Sequence, residues 1–238
     1  MVSYKFWKGA QMSEVLTLLT SATAHPLVKS FSGPDVIQQP FSTGKLFNVS
    51  EEPVSDLQSL SALLQRLEND PTHTVIRGSL KDGQNSPVPR NKETFIATPR
   101  QWCMIDIDSL SWDGDLSDQQ AMVSYAIQQL PVEFQAAGCW YHFSSSMGIK
   151  AGINVHLWFW LERTCSDNEL KTWISGCPVD MRMFNPIQIH LTANPQFSDG
   201  AVDPYPNRSG LFKAGTGIST VTVPSDLAFR SAVASKAS

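Results

Sequence analysis

The chain has 238 residues, 42% of them hydrophobic and 17% charged, with a formal net charge of −4. Such a composition predicts a soluble globular protein with enough length to bury a full core as one domain, with room for a small N-terminal lobe. Negative net charge excludes bulk attraction to nucleic acid, so any such binding must be local, and no apolar run approaches the roughly 18 residues that a membrane helix needs.

Residues 1–8 mix charged and aromatic types, so no signal peptide is expected at the start. From Ser13 onward Val15, Leu16, Leu18 and Leu19 read as a short helix, followed by a Pro/Gly/Ser-rich connection. A clearer helix is predicted from about Ser55 to Glu68, with Leu57, Leu60, Leu63, Leu64 and Leu67 on one stripe and a stop at Asn69-Asp70-Pro71. Thr74 to Gly78 and Phe95 to Ala97 read as strands around a polar loop from Lys81 to Lys92. Arg77, Lys81, Arg90, Lys92 and Arg100 make this the densest basic region, either a solvated loop or an edge that contacts phosphates.

In Trp102 to Leu110, apolar residues flank two acids spaced two apart, which predicts a buried strand with Asp106 and Asp108 on the same face. Carboxylates that close repel each other unless a divalent cation neutralises them, and hard oxygen ligands suit Mg²⁺ or Mn²⁺. The plainer alternative is that the strand ends near Asp106 and that Asp108 caps a turn into Ser109. Ser117 with Gln120 predicts a capping box before a helix carrying Val123, Ala126, Ile127 and Leu130, which Pro131 ends.

Cys139 to Phe143 reads as a strand entering Ser144-Ser145-Ser146-Met147-Gly148, and Val155 to Leu161 as a second with His156, Trp158 and Trp160 on one face. Ser166 with Glu169 caps a further helix that Gly176 closes. Pro186 to Leu191 and Ile218 to Val223 read as strands, and Pro224-Ser225-Asp226 opens a last helix, as at the head of a longer protein. The four cysteines, Cys103, Cys139, Cys165 and Cys177, form no Cys-x-x-Cys pair. That argues against structural zinc and for buried thiols in a reducing, cytoplasmic setting.

A histidine inside an apolar strand is most simply a hydrogen-bonded core residue. Beside an acid pair a second use opens, because a polyphosphate bound to a metal needs donors for its oxygens. Ser144, Ser145, Ser146, Lys150 and His156 can supply them.

Hydrophobic-Asp-hydrophobic-Asp within Met104 to Asp108, small-x-His in Asn154-Val155-His156 and hydrophobic-Asp in Val179-Asp180 resemble the three motifs of the archaeo-eukaryotic primase superfamily. The plasmid- and phage-encoded primase-polymerases are the nearest in pattern, over roughly residues 74 to 215, and the 24-residue gap from His156 to Asp180 adds to the likeness. The resemblance implies an α+β fold, a mixed or antiparallel sheet with a recognition-motif-like catalytic half and flanking helices. One catalytic domain over residues 1–238 is then expected: an N-terminal helical part to 73, a core from 74 to 223, and the start of a C-terminal helix or linker from 224.

It further implies a template-dependent nucleotidyl transferase, a DNA primase-polymerase at the N-terminal end of a replication protein, using two Mg²⁺ or Mn²⁺ ions. Carried over, Asp106, Asp108 and Asp180 would ligate the ions and His156 would hold the triphosphate of the incoming nucleotide. Asp203 is the alternative third ligand; it precedes Pro204 in a Gly/Pro-rich loop with Arg208 and Lys213 near as ion-pair partners, so Asp180 is preferred. Single-stranded template would follow Arg77, Arg90, Lys92, Arg100 and Arg208, with nucleoside triphosphates as substrates and a helicase domain or subunit as a further partner. Two rival readings stand. A rolling-circle-type initiator or metal-dependent nuclease needs paired histidines and a tyrosine on a downstream helix, whereas His156 is followed by Leu157-Trp158 and Tyr205 lies between prolines. A non-catalytic single-strand-binding domain would instead stack bases on Trp158 and Trp160.

Overall fold

The computed structural model describes residues 14–237; residues 1–8 and Ser13 lie outside the described residues. Period-two alternation in three long strands sets the architecture. β9 (Arg100–Leu110) and β10 (Cys139–Phe143) both pair antiparallel with β11 (Ile153–Cys165). β13 (Ser209–Phe212) extends the sheet beyond β10, and β14 (Thr220–Val221) runs parallel to the far end of β11. One face, with Ile105, Ile107, Phe143, Leu157 and Phe159, is buried under α2 (Gln119–Gln128), α3 (Val132–Gln135), α4 (Asp167–Trp173) and the start of α5 (Leu227–Ala237).

The opposite face carries Trp102, Met104, Trp140, Trp158 and Trp160. It packs on the leucine stripe of α1 (Leu57–Leu67) and on an N-terminal sheet. In that sheet β1 (Glu14–Ser21) lies between β4 (Leu46–Val54) and β5 (His73–Ile76), and β7 (Val88–Pro89) extends it past β4. A small sheet joins β2 (Ser30–Ser32) to β3 (Ile37–Gln38) and, across the chain, to β12 (Gln196–Ser198). β6 (Ser79–Leu80) pairs with β8 (Phe95–Ile96). The architecture is therefore α+β. No described helix is long and apolar enough to cross a membrane, and all four cysteines are free.

Three expected elements differ. The helix predicted from Ser13 is strand β1, so the described part before residue 74 holds four strands and one helix and is not helical. Leu16, Leu18 and Leu19 are buried on both faces of the strand, and a strand covered on both sides shows a continuous apolar run that also fits helical spacing. The cap of α2 is Asp118, whose carboxylate accepts from the Ala121 N–H at 2.9 Å, while Ser117 Oγ donates to Asp115 at 2.8 Å. The strand predicted over Pro186 to Leu191 is absent. Pro186 has no N–H, the Asn185 side chain accepts from the Ile187 N–H at 3.2 Å to form a turn, and only His190 bridges to Val75.

Two arginines clamp the layers together. Arg77, fully buried, donates to Asp167 at 2.6 Å and to the carbonyls of Trp102 and Cys165. Arg100 donates to Glu14 at 3.2 Å, Thr17 Oγ1 at 2.8 Å, Ser79 Oγ at 2.9 Å and the Arg77 carbonyl at 2.9 Å. A buried guanidinium is tolerated only when its donors are satisfied this way. Both residues are thereby removed from the expected phosphate-contacting edge.

Candidate functional site

The registers of β9, β11 and β10 align residues in rows on the tryptophan-bearing face. Met104, Trp158 and Trp140 form one row; the next is Asp106, His156 and His142. Beyond it the pairing breaks at a register shift between Ile153 and Val155. Asn154, fully buried, pins this bulge: its Oδ1 accepts from the Ser109 N–H at 3.0 Å and its Nδ2 donates to the Gly152 carbonyl at 3.1 Å. At Gly152, with φ +78°, a Cβ would lie 2.5 Å from the Leu110 carbonyl oxygen, so only glycine fits. The bulge ends the strand pair and leaves Asp108 exposed at the mouth of a cavity of about 370 Å³.

One wall of the cavity is acidic. The Asp180 N–H donates to the Asp106 carbonyl at 2.9 Å, which brings the segment after α4 beside β9 and adds a third carboxylate to Asp106 and Asp108. Arg182 clasps both Asp180 oxygens at 2.8–3.1 Å, and that hydrogen bonding holds the Asp180 carboxyl below its usual range. Asp106 goes the other way. Burial, with the neighbouring Asp108 and Asp180 charges added, pushes it up to about 7. Its Oδ1 is buried without a hydrogen-bond partner, and so is His156 Nδ1. His156 Nε2 lies 3.6 Å from that same Asp106 oxygen, but burial pulls the histidine down to about 4. With the histidine neutral and Asp106 only partly ionised near pH 7, this contact is not a full ion pair.

The same cavity is lined by cations: Lys29, just before β2, Arg90, and Arg182, which is held on Asp180. Arg90 donates to the Ile187 carbonyl and, at 3.5 Å, to Thr43 Oγ1, yet its Nε is buried without a partner. Among the described residues neither Lys29 nor Arg90 has a carboxylate partner. Phe41, Ile189 and Leu191 add apolar surface to the lining.

Of the residues singled out from sequence, Asp106, Asp108, Asp180, His156, Ser144, Ser145 and Arg90 come together here. Ser146 is buried behind the turn with its N–H on Ser144 Oγ at 3.3 Å, and Lys150 is exposed outside the cavity. Lys92 is exposed, its carbonyl accepting from Lys81 Nζ at 2.7 Å, and neither lysine reaches the cavity. Arg208 corrects the expected DNA edge a third time: it is buried on Asp203 and on the Ser144 carbonyl at 2.7 Å, where it props the serine turn. Asp203, so engaged, stands outside the cavity. Sequence reasoning missed Lys29, His142, Arg182 and Gln188. Only His142 carried a local signal, since alternation along Cys139 to Phe143 sets it on the face of Trp140.

Among the described residues no three His, Cys, Asp or Glu side chains stand ready as a ligand set. The donors present nonetheless fit a hard divalent ion. Mg²⁺ is commonly held by one or two carboxylates with water and substrate phosphates completing the shell, and Asp106 and Asp108 offer two, one of them with an unpartnered buried oxygen.

No family model matches the chain. A curated relative, the putative replication origin binding protein of Escherichia phage T5, is 29% identical over 209 residues, which cover 77% of this chain and 22% of that protein. The chain thus spans about a fifth of that relative's length. Among solved structures, the AEP domain of the cyanophage S-2L primase-polymerase overlaps 87% of this chain and 84% of its own, with 11% identity and a TM-score of 0.37.

Proposed function

We propose that the chain is the catalytic domain of a phage-type replication protein, a template-dependent nucleotidyl transferase working with two divalent ions. One observation carries the reading. One cavity is lined by three carboxylates, one with a buried and unpartnered oxygen, and by two cations without carboxylate partners among the described residues, with His156 and a serine turn in the same lining. A metal-bound polyphosphate matches that polarity, its cation toward Asp106 and Asp108 and its oxygens toward Lys29, Arg90 and His156. Asp180 would join the acid side on release from Arg182. When bound, the ions would activate a primer 3′-hydroxyl and neutralise the pyrophosphate leaving group. The chain's own part is placement: β9 and β11 fix Asp106 and His156 in one row with Asp108 two residues further along β9, and Arg208 holds Ser144 and its turn against the cavity. Identity with a phage protein described as a putative replication origin binding protein supports a role in replication.

That same description favours one rival, a domain that binds DNA without synthesis. Incubating the protein with primed and unprimed single-stranded templates, all nucleotides and Mn²⁺ separates the two. Extended product is expected. Template binding without product would favour the rival, and strand scission would favour a nuclease.

A further inference from the structure

The cavity holds a second histidine that the phosphate-binding scheme does not use. His142 stands directly across from His156 in the β10–β11 register, as His156 stands across from Asp106, so it lies two strand spacings, roughly 10 Å, from the acidic wall. The two imidazoles meet at 6.1 Å between centroids and 62° between planes. Asn194 defines the state of the outer ring. Its Oδ1 lies 2.9 Å from His142 Nε2, and Asn194 is itself anchored by its N–H to the Glu68 carbonyl at 2.8 Å. A carboxamide oxygen only accepts, so the proton sits on Nε2 and Nδ1 keeps its lone pair. Nδ1 has no protein partner, yet it is not among the sealed, unpartnered atoms, and the ring lines the cavity. Burial keeps the imidazole neutral, held down to about 4.

A neutral acceptor is wrong for a phosphate oxygen and right for a hydroxyl. The charged groups that suit a polyphosphate are other residues of the lining, which also includes the uncharged Leu191 and Ala193. In a nucleotide the hydroxyls next to the phosphates are on the sugar. We infer that His142 is a specificity residue whose Nδ1 accepts a hydrogen bond from a sugar hydroxyl of the bound nucleotide, an inference that rests on the nucleotidyl-transfer reading.

Two measurements test it. Ring ¹⁵N spectra of the free protein should show His142 as the Nε2–H tautomer; the Nδ1–H tautomer overturns the inference with no substrate involved. Calorimetric titration with Mg²⁺ and ribo-, deoxyribo- and dideoxyribonucleoside triphosphates then reads the hydroxyl. Loss of the accepted hydroxyl should weaken binding about tenfold, at the ribo-to-deoxyribo step if it is the 2′ group and at the deoxyribo-to-dideoxyribo step if it is the 3′ group. The difference should vanish in His142→Phe, which keeps an aromatic ring in the row and removes the acceptor. Discrimination unchanged in that variant overturns the inference and leaves nucleotidyl transfer standing. If no triphosphate binds the wild type, both fall together.

Discussion

Adjacent rows of one sheet face have opposite fates. Met104, Trp158 and Trp140 are sealed, with the leucines of α1 in the same core, while Asp106, His156 and His142, one row along the same three strands, border a cavity. Strand geometry treats the rows alike, so the difference comes from the cover. Apolar helix lies over one, and over the other lie the turn-and-loop residues 187–193 with Lys29 and Arg90. His190 marks the seam: it is fully buried with its ring near Trp102 and Trp158, at 6.0 and 5.7 Å, and neither ring nitrogen has a partner. The polar row is held in place less by its own bonds than by the packed row beside it.

The sharpest way to break that contrast is to empty the packed row. Trp158→Ala should lower unfolding free energy by about 3–5 kcal/mol in a denaturant titration, since a fully packed indole leaves a cavity that collapses poorly. Asp106→Asn should do the reverse. It removes a buried carboxylate from beside two others, so thermal stability should hold or rise while nucleotide incorporation falls at least about a hundredfold, roughly 2.7 kcal/mol in barrier. Retention of more than about a tenth of the activity would end the metal reading.

Acid titration sharpens the contrast further. His142 and His156 are held down to about 4 and His190 well below its ordinary value, all by burial. The unfolded chain therefore takes up protons below about pH 6.5 that the folded chain refuses, and stability is lost as pH falls from there toward 4. Asp106, raised to about 7, acts in the opposite sense: the folded state keeps a proton that the unfolded state releases above about pH 4, so its contribution declines as pH rises to 7. With that opposing slope removed, Asp106→Asn should show a steeper stability loss between pH 6.5 and 4 than wild type. A parallel curve would mean that Asp106 ionises normally.

The smallest expected effect concerns DNA. Burial of Arg77, Arg100 and Arg208 leaves Lys81 and Lys92 as the lysines of the expected edge outside the cavity. Single-strand affinity should fall with salt at a logarithmic slope near −1.4, about −0.7 for each of two phosphates neutralised. A much steeper slope would require basic surface elsewhere.

What could be read from sequence was whatever a single element decides for itself. The acid strand, the histidine strand and the leucine helix announce their faces by periodicity, and Ser166 with Glu169 forms its capping box with Glu169 N–H on Ser166 Oγ at 3.2 Å. Cover and cross-chain pairing were not legible. β1 looked helical because tertiary structure buries both its faces, although Thr17 and Thr20 in that run favour a strand. The basic cluster looked like an edge because its partners, Glu14, Asp167 and Asp203, are set by the fold. Lys29 is 77 residues from Asp106, and no local pattern links them.

The clamp around Arg100 also bears on how such a protein can be recombined. Arg100 is held by Glu14 and Thr17, the Trp102 Nε1–H donates to the Val15 carbonyl at 3.1 Å, and β1 lies along β5. A crossover near residue 74 that joined this core to another lineage's leading segment would strand a buried guanidinium and expose the tryptophan row. The two stretches must be inherited together: a junction anywhere between Thr17 and Arg100 splits the clamp, and one in the loop around Gly83, exposed as it is, would also part Arg77 from Asp167 and from the Trp102 carbonyl.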